Sequence, residues 1–110
     1  MPLSERARVE VYVPDLPRAA HQDILGALSD EFTHTFGGCT VLRSLEGSYL
    51  SAEGTPKLDR INLIYADTPY VFQENFETVA AYVDELRTAI HDALEEESVL
   101  VVVTRVFHSG

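Results

Sequence analysis

The sequence predicts an α+β fold of the ferredoxin-like type, β-α-β-β-α-β: a two-layer sandwich with a four-stranded antiparallel sheet. Two observations predict it. Segments of period two and of period near 3.6 follow one another in that order, with little of the 110 residues left over. The middle two strands are joined only by a short Gly- and Pro-containing turn, so they form a hairpin and not a parallel crossover. Two right-handed crossovers then place both helices on one face of the sheet, in the strand order fourth, first, third, second, and leave the other face open.

Each element has its own signal. In Ala7–Val13, Val9, Val11 and Val13 alternate with Arg8, Glu10 and Tyr12, which is a first strand with one apolar face. Pro14-Asp15-Leu16-Pro17 stops it, and Asp15 is placed to cap the helix that follows. That helix is expected from Pro17 or Arg18 to about Thr35, with Ala20, Ile24, Leu28, Phe32 and Phe36 as its buried stripe and Gly37-Gly38 as its C-terminal stop. Cys39–Ser44 reads as the second strand, continuing past a bulge near Gly47 to Ser51. After the turn Glu53-Gly54-Thr55-Pro56 comes a third strand, Lys57–Ala66, and then Asp67-Thr68-Pro69 closes it. The aromatic loop Tyr70–Glu74 is expected to fold over one end of the sheet. A second helix is expected from about Asn75 to Glu96, with Phe76, Val79, Ala80, Val83, Leu86, Ile90 and Leu94 inward. Glu95-Glu96-Glu97 sits where a helix dipole disfavours negative charge and reads as solvated. Val-rich Ser98–Phe107 reads as a last strand, central or buried on both faces.

Composition narrows the function classes. At 45% hydrophobic and 24% charged the chain reads as one globular domain over residues 1–110. No apolar run approaches the ~20 residues of a membrane span, and the charged start Met1–Arg6 lacks the apolar core of a secretory signal. One cysteine, Cys39, forms no internal disulfide and fits a reducing cytoplasm. A net charge of −10 argues against nucleic-acid and anionic-membrane partners, which call for Lys and Arg. The glycines form no phosphate loop: Gly37-Gly38 ends a helix instead of opening one.

If the alternation holds throughout, Val9, Val11, Val13, Ile61, Leu63, Leu100 and Val102 face the helices. The open face then carries Arg8, Glu10, Tyr12, Val41, Arg43, Arg60, Asn62, Ile64, Val101, Val103, Arg105 and Phe107. Four of the eight basic residues, Arg8, Arg43, Arg60 and Arg105, fall together there, and all are arginine, whose planar fork suits bidentate anion recognition. With Tyr12 and Asn62 they form the candidate site for a small anionic ligand. Mixed with apolar groups, they also make that face or its edges a candidate homodimer or higher-order interface, or a platform for a protein partner. The competing reading is a half-solvated sheet whose arginine stems cover apolar groups. The leading function is a non-enzymatic binding or regulatory module. The alternative is a small enzyme of the dimeric αβ-barrel type, using Glu10, Tyr12, His34 or Arg60 as acid–base or polarising groups.

No cofactor and no metal site is expected. His21 and His34 are thirteen residues apart, about 20 Å along a helix, so they do not converge on Cys39. No catalytic residue is assigned: Cys39 reads as a packed thiol, His91 as solvated, and His108 as a fraying or appended residue near the end of the sequence.

The run Phe36-Gly37-Gly38-Cys39-Thr40-Val41-Leu42, with Gly47-Ser48-Tyr49 after it, resembles small bacterial ferredoxin-like (α/β plait) domains of unknown function. There a helix ends in a Gly-containing turn, a Thr-Val strand follows, and a Gly with an aromatic residue comes next. The resemblance implies the fold; it implies no activity and assigns no functional residue.

Overall fold

A computed structural model describes residues 3–95 and 99–109. The elements run β1 (Leu3–Pro14), α1 (Ala19–Phe36), β2 (Thr40–Leu50), β3 (Pro56–Asp67), α2 (Phe76–Leu94) and β4 (Leu100–Ser109). The strands form one antiparallel sheet in the order β2-β3-β1-β4, and the expected ferredoxin-like topology is present. β4 is therefore an edge strand, half-buried from Val101 to Thr104 and exposed at Leu100, Arg105 and Phe107, and not the central or doubly covered strand its valines imply.

α1 buries His21, Leu25, Leu28 and Phe32, spaced four, three and four. The expected stripe at every fourth residue is corrected: Ala20 is exposed, and Ile24 and Phe36 only flank the core. Each step of four overshoots a helical turn by about 40°, so an unbroken four-residue repeat walks off any one face. Gly37 stops the helix in the left-handed region at φ 92°, its N–H donating to the Thr33 carbonyl at 3.0 Å. Asp15 does not cap α1; the N-cap is Arg18, with no side-chain bond.

α2 buries Val79, Leu86, Ile90 and Leu94 and ends at Glu95, which takes a left-handed φ of 51°. The predicted continuation to Glu96 and the rest of the acidic run lie outside the described residues. Phe76 is 55% exposed instead of inward; it meets Phe72 edge-on, with ring centroids 5.6 Å apart. The loop before α2 does close one end of the sheet. The Ala7 N–H donates to the Tyr70 carbonyl (2.8 Å), Thr68 donates to the Ala7 carbonyl through both N–H (2.9 Å) and hydroxyl (2.8 Å), and the Phe72 N–H donates to Glu5 (3.1 Å).

Register decides which residues face the helices. On β1 the inward set is Ala7, Val9, Val11 and Val13, as the alternation requires. Val9 opposes Ala66, Val11 opposes Ile64 and Val13 opposes Asn62, so the inward residues of β3 are Asn62, Ile64 and Ala66, all buried. The predicted β3 set, Ile61 and Leu63, points the other way. On β4, Val101 and Val103 oppose Val11 and Val9 on the helix side, while Leu100 and Val102 turn to the open face, again the reverse of expectation. Val41 opposes Ile64 and packs on the core.

Candidate functional site

The single arginine-lined face is not present. Of the four arginines, only Arg8 lies on the open face. Arg60 shares the side of Asn62 and Ile64, and Arg105, opposite Ala7, shares that of the β1 core residues; both are on the helix side. Arg43 sits in an irregularity of β2, where Arg43 and Ser44 together oppose Asn62. β2, β3 and β4 each turn opposite to expectation while β1 does not, so Arg8 parts from the other three, and the bulge at Arg43–Ser44 displaces Arg43 further.

Three local clusters replace it. On the open face, Arg8 and Asp67 are cross-strand neighbours, with Arg8 Nε 2.5 Å from Asp67 Oδ1 and Nη2 3.1 Å from Oδ2. His108 Nε2 lies 2.8 Å from Asp67 Oδ2, and the Arg8 guanidinium stacks 4.2 Å from the centroid of the Tyr65 ring. The Arg8 hydrogen bonds hold the Asp67 carboxyl below its usual range, with His108 adding to the effect; Asp67 in turn raises Arg8 further. His108 is thus a strand residue with a partner, not a frayed one. Beside it on this face, the Tyr12 hydroxyl donates to Glu10 at 3.3 Å, and burial followed by the Glu10 charge pushes the phenol up.

The second cluster surrounds the β2 bulge. Asn62 is buried; its Oδ1 accepts the Ser44 N–H at 2.9 Å and its Nδ2 donates to Asp15 at 3.2 Å. Asp15 also accepts from Ser44 Oγ (3.0 Å) and Gln22 Nε2 (3.2 Å). These donors, Gln22 first, lower the Asp15 carboxyl, and the Arg43 charge adds to them. Ser44 itself has φ 56°, the conformation the bulge demands of it. Arg60 reaches the Ser44 carbonyl at 3.4 Å, so Arg43, Arg60 and Asn62 are brought together here, away from Arg8, Tyr12 and Arg105. Neither Arg43 nor Arg60 forms an ion pair among the described residues.

The third cluster is Arg105 with Glu5, joined at 2.6 and 3.2 Å, where Glu5 also receives the loop at Phe72. The Arg105 bonds draw the Glu5 carboxyl down. This arginine is a structural brace for the 68–72 loop.

The four groups of the enzyme alternative do not meet. Glu10 and Tyr12 are on the open face, Arg60 is on the other side, and His34 is exposed on α1 with Nδ1 2.7 Å from the Asp30 carbonyl oxygen. Cys39 packs beside the core with Sγ 3.5 Å from Ser29 Oγ. Among the described residues no group of three His, Cys, Asp or Glu side chains is placed to hold a metal, and no helix is long and apolar enough to cross a membrane.

What remains on the open face is apolar. Ile61, Leu63 and Tyr65 of β3, Leu42 and Leu45 of β2, and Leu100 and Val102 of β4 lie there without a covering layer. β3 pairs with β1 only from Ile61 onward, so the β2–β3 hairpin runs past the body as a two-stranded ribbon carrying the exposed Tyr49, Leu50 and Leu58. Asp67 and Asp15 carry the best-defined polar geometry, and sequence reading gave both only turn or capping roles. The one signal for Asp67 was its place at a strand end opposite an arginine strand.

No family model matches the chain, and no curated protein matches it. Solved structures do share its fold. CutA1 from Oryza sativa superposes with a TM-score of 0.61 at 17% identity, over 98% of this chain and 85% of that one. CPII, a nitrogen regulatory PII-like protein from Thiomonas intermedia K12 bound to ADP, AMP and bicarbonate, superposes with a TM-score of 0.56 at 18% identity, over 99% of this chain and 100% of that one. At these identities the likeness is one of fold, and it agrees with the resemblance to small ferredoxin-like domains.

Proposed function

We propose that this chain is a non-enzymatic regulatory or binding module that acts as an assembly of like copies, joined through the uncovered face and free edges of its sheet. The observation that carries the reading is the character of that face. Its apolar residues outnumber its charges; Arg8, Asp67 and His108 are bound to one another and Glu10 to Tyr12, while Arg6, on the same face, has its Nε buried without a hydrogen-bond partner among the described residues. A surface of mostly paired charges set among leucine, isoleucine and tyrosine loses little on leaving water, which is how the core of a protein–protein interface is built. The projecting ribbon supports the same reading. A two-stranded hairpin is marginal in water by itself and gains from lying against a neighbouring sheet, and β2 and β4 both offer unpaired edges.

The ligand part of the proposal rests on Arg43 and Arg60, beside Asn62, as the cations placed to take a small anion; the PII-like neighbour was solved with ADP, AMP and bicarbonate. A cytoplasmic setting goes with the lone Cys39.

Light scattering on the purified chain tests the assembly. More than one copy per particle is expected, and Leu63→Arg and Val102→Arg are expected to give folded monomers with unchanged far-ultraviolet circular dichroism. A monomeric wild-type chain at ~100 μM, a concentration at which even weak interfaces assemble, removes the proposal.

A further inference from the structure

We infer that the cleft between α1 and α2, on the side of the molecule away from the open sheet face, is a docking groove for a basic amphipathic helix of a partner protein. The cleft has a volume of about 460 Å³. It exists because small residues stand where the helices approach: Ala27 on α1 and Ala89 and Ala93 on α2 leave space that longer side chains would fill. Ile24, Leu28 and Ile90 line its walls, so the surface is apolar and concave, the shape that takes large side chains at i, i+3 and i+4. Tyr82 closes one part, its hydroxyl donating to Glu31 at 3.2 Å across the two helices.

The rim identifies the occupant. Glu31 and Glu85 border the cleft, and a shallower depression continuous with it through Glu85 and Ala89 adds Asp84 and Asp92. α1 carries three carboxylates and no Lys or Arg; α2 carries four against the single Arg87. A partner helix with an apolar stripe flanked by Lys or Arg matches both features: the stripe enters the cleft and the cations meet the rim. A second copy of this chain does not fit, since its own helix layer has the same sign of charge. The groove does not depend on the assembly proposed above, because the sheet face and the helix layer lie on opposite sides.

The test uses a fluorescein-labelled synthetic 18-residue helix, leucine at every third and fourth position and lysine elsewhere, with a companion peptide carrying glutamate for lysine. Binding is read by anisotropy at about 0.15 M salt, where exposed charges beyond ~8 Å are screened. The lysine peptide is expected to bind and the glutamate peptide not. Ala89→Phe, which fills the cleft without changing charge, and Glu85→Lys, which reverses the rim, are each expected to weaken binding about tenfold, roughly 1.4 kcal/mol. Asp59→Lys, on the distant hairpin, is expected to leave it unchanged. Amide shift mapping of the wild-type complex gives an independent readout, with perturbations expected on α1 and α2. No binding, equal loss from Asp59→Lys, indifference to Ala89→Phe with that variant folded, or shifts mapping to the sheet each overturns the inference.

Discussion

Arg8 and Asp67 face each other directly across the β1–β3 pair and are bound twice, Nε to Oδ1 at 2.5 Å and Nη2 to Oδ2 at 3.1 Å. The bidentate geometry is the strong form of the guanidinium–carboxylate contact, and both side chains are mostly withdrawn from water.

The first prediction follows from that pair. The Asp67 carboxyl is held below its ordinary range in the folded chain, by Arg8 first and His108 second. A depressed carboxyl contributes stability that is present above its unfolded value near 4 and is lost as pH falls through the lower folded value. Asp67→Asn should therefore cost about 1–2 kcal/mol at pH 7. In urea titrations from pH 7 to pH 2, the gap between wild type and variant should close on the acid side. Curves that stay parallel over that range contradict the assignment.

Gly37 supplies a backbone test. Its φ is 92°, and a Cβ built there meets no atom within 4 Å, so Gly37→Ala changes conformational preference and no contact. A loss of about 1 kcal/mol is expected, the cost of a left-handed L-residue. Gly38→Ala, which has the same open surroundings without the positive φ, should lose much less. Equal effects on the thermal midpoint would show that the cap geometry is not what matters.

Asn62 carries the polar network under the bulge. It is 1% exposed, and removing its amide leaves the Ser44 N–H and one contact of Asp15 without their partner. Asn62→Ala should destabilise by about 2–3 kcal/mol, combining the unmet donor with the vacated volume. Asn62→Asp keeps the acceptor for the Ser44 N–H but sets a buried carboxylate beside Asp15, so it should be at least as damaging at pH 7 and recover toward pH 4. If Asn62→Ala unfolds within ~0.5 kcal/mol of wild type, in the range of ordinary surface changes, the bulge is not pinned there.

Element order and hairpin were legible because each depends on pattern length and turn chemistry, which survive small errors of boundary, and the inward side of β1 was legible from its valine alternation. The sides of β2, β3 and β4 were not. In β3 the more hydrophobic alternate set, Ile61, Leu63 and Tyr65, lies away from the helices, while the core takes Asn62, Ile64 and Ala66. Asn62 is tolerated inside only because Ser44 and Asp15 satisfy its amide, a long-range match that no local window contains. In β4, Leu100 to Val103 are apolar on both sides, so parity has no contrast to read. The candidate site fell with these strands and with β2, since an arginine cluster assembled by parity fails when parity fails.

The last prediction concerns the anion. Arg43 and Arg60 flank the bulge, Arg60 touching the Ser44 carbonyl and Arg43 near enough to Asp15 to lower its carboxyl. Their charges are not consumed by ion pairs among the described residues, unlike those of Arg8 and Arg105. A ligand at ten times its dissociation constant adds about 1.4 kcal/mol, roughly 6–10 °C in the thermal midpoint of a chain this size. ADP, AMP and bicarbonate are the probes to use, each in a concentration series. At least one should raise the midpoint of the wild-type chain. The double substitution Arg43→Met with Arg60→Met should remove the rise, whereas Arg87→Met on α2 should keep it. Arg105→Met should lower the midpoint without ligand by releasing Glu5 and the 68–72 loop, yet leave the ligand-dependent increment intact. A rise that survives the double substitution, or one lost on changing Arg105 alone, places the anion elsewhere, and no rise with any probe removes these three anions from the reading.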